Sequence, residues 1–348
     1  LHKSSHSFPT RRSSDLQLYE TLVGPEDRAL ADSLGRRLDA MAESTGIARV
    51  KNWPVILLSR ARAEARVGDR ALARVHAAQV ESTTTDRFRW EIAALSDREA
   101  LVWEEEAHDA ADLLVETALP ERSEDVREAW SAVIRRRGLV REIVEGRREL
   151  SAPGDTALAA AHARWVTLQQ AHAQIVVSGV LDASDPAAQQ RFEASRDAVE
   201  SAERHYARLS AQAGRPMEAP TLDRILARLG PDEALVAFMR TEVAQGRARL
   251  SVFVAAGRGR APRMVSLGPE AEITESVRAW VEALASPPPA DLRSARAAEA
   301  LSRERGEVVR RLVWDPLRAL LGDARVVQLV PSGPVLDLPW LALPMPRG

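Results

Sequence analysis

The stretch VVQLVPSGPVLDLPWLALP, residues 326–344, decides how the C-terminal part of the chain is read. Its opening residues are apolar apart from Gln328, rich in branched Val and not alternating. That pattern predicts a short buried strand. Pro331, Ser332 and Gly333 then predict a turn at the strand's C-terminal end. In open α/β sheets such ends border ligand crevices. Pro339 precedes a further apolar run, Trp340–Leu343. A plainer reading stands beside this one: Pro331, Gly333 and Pro339 simply shape a tight strand-to-helix connection.

Working outward, RRLVWDPLRALLG (310–322) predicts a helix that begins at Pro316, whose fixed φ suits a first helical position. Asp315 is expected to cap it and Gly322 to end it. Val326–Val330 is then expected as a central strand of a complete sheet, left in this chain as an exposed apolar edge prone to association. Further upstream, TLDRILARLGPDE (221–233) predicts a short helix stopped by Gly230. Three β-like runs follow: ALVAFM (234–239), LSVFVAA (250–256) and RMVSL (263–267). Their connectors, QGRAR and GRGRAP, suit hairpin turns, so an antiparallel meander is expected. A helix over Glu270–Ala285, the loop SPPPAD and a longer helix over Leu292–Leu312 complete this part. A strand returning after helices predicts an α/β layer.

From about Glu26 to Ala213 the pattern is helical, with apolar residues at three- and four-residue spacing, as in AWSAVIRRRGLVREIVEGRREL (129–150). RARAEARVGDRALARVHAAQV (60–80) fits one helix-turn-helix unit. Ala61 and Ala73 would allow close packing, and Gly68-Asp69 would make the turn. The unit resembles a tetratricopeptide repeat, without a second copy about 34 residues away. A degenerate repeat and a plain helical hairpin fit equally well. Two long helices are expected over Thr156–Ser178 and Pro186–Ala213, forming an antiparallel hairpin with a narrow seam of small residues.

Bulk composition narrows the function classes. The 348 residues carry a net charge of -2, so no basic field points to nucleic acid. There is no cysteine, which removes disulfides, thiolate metal sites and any cysteine nucleophile within this chain. Lys3 and Lys51 are the only lysines; the many arginines fit the coding bias of a GC-rich genome. No apolar run approaches the roughly 20 residues needed to span a bilayer. Residues 1–16, LHKSSHSFPTRRSSDL, lack the apolar core of a secretory signal. The part HSFPTRRSSDL resembles the conceptual translation of a sequencing adapter joined in frame, so 1–16 is set aside as an artefactual segment.

Other constellations favour bland readings. Glu104, His108 and Asp112 share one helix face and could bind a divalent metal, but a solvated salt-bridge face fits better. His162 and His172 lie ten residues apart, too far along a helix to chelate together. Ser332 has no downstream histidine to serve it, since the last is His205, and no Gly-x-Ser-x-Gly elbow surrounds it. No catalytic, cofactor-binding or metal residue is assigned, and no cofactor is expected.

The segment from about Leu222 to Leu343 resembles the first half of a CHAT domain, a caspase-like module that usually follows tetratricopeptide repeats. The likeness is carried, in order, by LGPDEALVAFM, by LSVFVAA with MVSLG, by RRLVWDPLRALLG and by VVQLVPSGPVLDLPWLAL. AWSAVIRRRGLV also looks like a segment common in these proteins. The chain departs from the family at Ser332, where Asp is usual, and at Pro334 after the glycine. Neither position is catalytic in the family. The resemblance implies a mostly α N-terminal region, tetratricopeptide-like or a helical hairpin (17–215), followed by an incomplete α/β caspase-like module (216–348). It implies a clan CD cysteine peptidase as the full-length parent, cytoplasmic, in bacterial-type signalling or defence. Its helical region would meet a protein partner, and its substrate would be a protein; no nucleic acid or membrane is involved. The family's His-Gly and Cys motifs belong after the matched segment, so this chain lacks the catalytic dyad. The alternative is a non-catalytic helical interaction scaffold with a degenerate α/β module.

Overall fold

A computed structural model describes residues 22, 24–45, 53–93, 95–100, 109–149, 155–177, 185–213, 221–243, 247–287 and 290–345. The chain is mostly helical, with one small mixed sheet in its C-terminal part. Helices α1 (Arg28–Thr45), α2 (Trp53–Arg66), α3 (Arg70–Ala93), α4 (Asp109–Thr117) and α5 (Ser123–Glu149) are followed by α6 (Thr156–Val177) and α7 (Pro186–Ala213). Then come α8 (Leu222–Ala227), β1 (Glu233–Val243), β2 (Arg247–Ala256), β3 (Arg263–Pro269), α9 (Glu270–Ala285), α10 (Leu292–Val313), α11 (Asp315–Leu321) and β4 (Val326–Val330). Contacts group residues 1–78, 109–132 and 221–348 into one compact unit, and 79–108 with 133–220 into a second. These units interleave along the chain. The sequence-based boundary at 215/216 lies outside the described residues, as do 1–16.

In the first unit, β1, β2 and β3 form the expected antiparallel meander, and β4 adds to β1 in parallel, giving the order β3-β2-β1-β4. One face is closed by apolar residues of alternating strand positions: Val236 and Phe238 of β1, Val252 and Val254 of β2. They pack against Ile273, Val277 and Trp280 of α9, Val309 and Val313 of α10, and Leu317 and Leu321 of α11. The other face is covered by α4, which lies against β1, and by Trp130 of α5, stacked on Phe253 with ring centroids 5.3 Å apart. The Asp112 carboxylate accepts a hydrogen bond from the Glu242 N–H at 3.0 Å, tying α4 to the end of β1. The meander therefore sits between two helical layers, as an α/β core requires.

Two expectations for the deciding stretch are corrected. Val326–Val330 is a strand; among the described residues it is the edge of the sheet, the uncovered position expected for the last strand of this chain, and not the central position expected of it in a complete domain. Its burial alternates: Val326, Gln328 and Val330 are exposed while Val327 and Leu329 are half-buried against the core. The composition of β4 hides this, because only one face of the strand is covered. Asp315 does not cap the helix after it. It opens α11 itself, and its carboxylate accepts from Arg310 Nε at 3.2 Å. Gly322 does end that helix, at φ 57°.

The same unit contains residues 60–78 of the helix-turn-helix expected at 60–80. Gly68 has φ 88°. The Asp69 N–H donates to the Glu64 carbonyl at 2.8 Å and the Gly68 N–H to the Ala65 carbonyl at 3.2 Å. These are the paired bonds that close a helix C-terminus on glycine. Asp69 Oδ1 then accepts from the Leu72 N–H at 3.1 Å, starting α3. Ala61 and Ala73 are fully buried, as close packing demands.

In the second unit, α6 and α7 pair as an antiparallel hairpin: His162 meets Tyr206 while His172 meets Phe192 and Ser195. Asp155 Oδ1 accepts from the Ala157 and Leu158 N–H groups, and Asp185 Oδ1 from Ala187. These caps set both start points. The seam is not one of small residues alone. Trp165 stacks on Tyr206 at 5.7 Å, with Leu158 and Ala161 buried beside them. The chain reads as small because Ala dominates α6, yet the few aromatics fill the interface.

Candidate functional site

The strongest site candidate lies at the C-terminal ends of the parallel strands β1 and β4. β4 ends in Pro331, and Ser332 is extended at φ -154°. Gly333, at φ 61°, starts a 3-10 turn over Gly333–Asp337. The backbone there favours glycine. The left-handed φ strains any side chain, and an added Cβ would lie 3.1 Å from Glu270 Oε1. The turn thus rests on a charged pair brought from β1 and the start of α9. Arg240 Nε donates to Glu270 Oε2 at 2.8 Å, and Nη1 to Glu242 Oε1 at 2.9 Å. Glu270, then Glu242, push the Arg240 guanidinium further above its ordinary range. Two carboxylates on one guanidinium leave no positive charge over for an anionic ligand.

Among the described residues no reacting pair assembles at this end. Ser332 makes no side-chain cap bond at the turn it precedes. The one described histidine in this unit, His76, is engaged elsewhere, with Nδ1 2.6 Å from Glu64 Oε2. The turn is built as a wall: Val335 and Leu338 are buried behind it, Phe238 packs on Trp340 at 5.5 Å, and Trp340 meets Trp314 edge-on at 6.3 Å. The segment after it is strapped to α10. Arg310 Nη1 donates to the Pro344 carbonyl at 3.1 Å, and Pro344 sits over Gly306. The plainer reading of Pro331, Gly333 and Pro339 as fold-shaping residues accounts for all of this geometry.

Of the candidates drawn from sequence, Glu104 and His108 lie outside the described residues, and Asp112 is committed to the Glu242 N–H. Among the described residues no group of three His, Asp or Glu is placed to hold a metal ion. His162 and His172 are half-buried parts of the α6/α7 seam. A recess of about 310 Å³ opens at the opposite end of the sheet, lined by Val254, Ala256, Arg260, Arg263 and Leu320. Its arginines are exposed and belong to the β2–β3 turn and the strand after it.

One constellation was not legible from sequence. Arg60, buried in α2, donates from Nε to Glu64 at 2.8 Å and from Nη1 to Asp39 of α1 at 2.5 Å. Glu64 also holds His76 of α3. Burial opposes the Arg60 charge, but the Asp39 and Glu64 carboxylates outweigh it and raise its pKa. Each residue reads alone as a solvated helix position; only packing of three helices makes them one cluster. Removal of a single partner from such a cluster leaves an uncompensated buried charge.

Among the described residues no helix is long and apolar enough to cross a membrane. The chain matches no protein-family model, and no curated protein or solved structure is significantly similar to it.

Proposed function

We propose that the sheet and its flanking helices are the first half of a CHAT-type, caspase-like α/β domain behind a helical, partner-binding region. In this reading the full-length parent is a cytoplasmic cysteine endopeptidase. The observation that carries it is the parallel strand β4 at an open edge, its C-terminal end turned by Pro331-Ser332-Gly333. A parallel edge strand with half-covered side chains is the place where a doubly wound sheet continues. The base and nucleophile belong on strands added beyond β4. There a thiolate would attack the scissile carbonyl, while the imidazole takes the thiol proton and returns it to the leaving amine. These 348 residues supply neither group, because they hold no cysteine and no histidine after His205.

The test is the genomic frame read past codon 348, followed by expression of the whole protein. The proposal expects an in-frame His-Gly and, after a further strand, a cysteine whose change to alanine abolishes peptide hydrolysis. A frame with neither motif overturns it and leaves the alternative, a non-catalytic helical interaction scaffold with a degenerate α/β module.

A further inference from the structure

At the end of the sheet away from Gly333, the connector from β2 to β3 folds back toward the C-terminal end of α11. Gly257 anchors it. Its N–H donates to the Glu233 carbonyl at 2.7 Å, and an added Cβ would lie 3.0 Å from the Pro231 carbonyl oxygen. The fold-back sets the Arg260 guanidinium between two glycines. A Cβ on Gly257 would lie 3.8 Å from its Nε, and one on Gly322, just after α11, would lie 2.9 Å from Nη1. Gly322 thus leaves open the space that this guanidinium occupies.

The recess of about 310 Å³ adjoins this connector. Its apolar lining comes from Val254 and Ala256 at the end of β2 and from Ala319 and Leu320 of α11. Its charged lining is Arg260 and Arg263, and no carboxylate stands among the lining residues. Other arginines of this unit are matched by acids: Arg240 by Glu242 and Glu270, Arg310 by Asp315. Arg260 and Arg263 have neither a hydrogen bond nor an ion pair among the described residues. β1 separates β2 and β3 from β4, so strands added beyond β4 lie on the far side of β1 from the recess.

The two linings ask different things of a ligand. The apolar floor favours a compact hydrocarbon body that displaces water from it. The guanidiniums present paired N–H donors that suit the oxygens of a carboxylate or a phosphate. A volume at the small end of the range for ligand sites fits one ring or a short branched chain. A bare inorganic anion meets the arginines and leaves the floor wet. A neutral ring covers the floor and leaves the donors unmatched.

We propose that this recess binds a small amphiphilic anion. Arg260 and Arg263 hold its carboxylate or phosphate head, and its single-ring or branched-chain body rests on Val254, Ala256 and Leu320. The inference stands on the recess itself and does not depend on the peptidase reading.

Isothermal titration calorimetry on the full 348-residue chain at low ionic strength tests it. The probes are benzoate and phenyl phosphate, with acetate, inorganic phosphate and benzyl alcohol as their separate halves. The expected result is one site per chain for a ring-bearing anion, at least about tenfold tighter than its head alone or benzyl alcohol. The tighter of the two ring-bearing anions identifies the head. Arg260→Gln and Arg263→Gln should each weaken that binding about tenfold, through loss of a charge-assisted contact. Ala319→Phe keeps both arginines but fills the recess, and should abolish it. All three side chains are exposed, so the circular dichroism melts should match the wild type. Absence of saturable heat from either ring-bearing anion up to about 10 mM overturns the proposal. So does a head group alone that binds as tightly as its ring-bearing form, or binding that survives Ala319→Phe or both Gln variants unchanged.

Discussion

β1 and β4 are neighbours in one sheet, run in the same direction and have similar apolar composition, yet they live in different solvents. In β1, Ala234, Val236 and Phe238 are wholly buried, and Leu235, Ala237 and Met239 on the opposite face are nearly so. In β4 no residue is buried, and Val326 and Val330 stand in water. The difference comes from what covers each strand. α4 and Trp130 close the second face over β1 and β2, while no described element closes it over β4. Strand composition reports the capacity to be buried; neighbours decide whether that capacity is used.

Four changes sharpen this contrast, given from the largest expected effect to the smallest. Phe238→Ala removes a fully buried ring that packs on Trp340 and should cost about 3–5 kcal/mol in urea unfolding of the sheet-containing unit. A loss below about 1 kcal/mol would mean that the β1 core is loosely packed. Gly306→Leu is next. Even a Cβ there would fall 2.8 Å from Pro344 Cγ and from Trp280 Nε1, so the strap over α10 must lift. Overpacking of this kind costs about 1–3 kcal/mol, and Trp280 fluorescence should red-shift as the strap opens.

Acid should weaken the cover on the closed face. Asp291 caps α10 through the Arg293 and Ser294 N–H groups, and the Ser294 contact foremost holds its carboxyl below the ordinary 3.8. A lowered folded pKa means that the cap's contribution is complete above 3.8 and is lost as the pH falls through the folded value. Asp291→Asn, which still caps but does not titrate, should flatten that part of the stability–pH curve. An unchanged slope would assign the acid sensitivity elsewhere. Val326→Lys, on the open face of β4, should shift the urea midpoint by less than about 0.5 kcal/mol in the monomer. A larger loss would show that this side chain is covered after all.

Much of the architecture was legible where local chemistry decides it. The starts of α6 and α7 at Thr156 and Pro186 were readable, although the caps at Asp155 and Asp185 were not named, and Gly68-Asp69 announces the turn between α2 and α3, because such signals act within one helical turn. The meander was readable from branched and aromatic runs between Gly-containing connectors. What failed depended on tertiary partners. Asp315 looked like a cap, but Arg310 one turn back claims its carboxylate. The α6/α7 seam looked narrow until Trp165 and Tyr206 met across it. The Arg60–Glu64–His76 cluster draws on residues that no local pattern joins. At the candidate site the turn at Gly333 was anticipated, while the Arg240–Glu270 pair beneath it was not, since strand β1 and helix α9 supply one partner each.

Amide hydrogen exchange along Val326–Val330, followed across a dilution series, tests the open edge most directly. The account predicts rapid exchange at alternate β4 amides while Val236 and Phe238 of β1 stay protected. Full protection of every β4 amide, unchanged on dilution, would contradict it and would mean that the sheet is already closed.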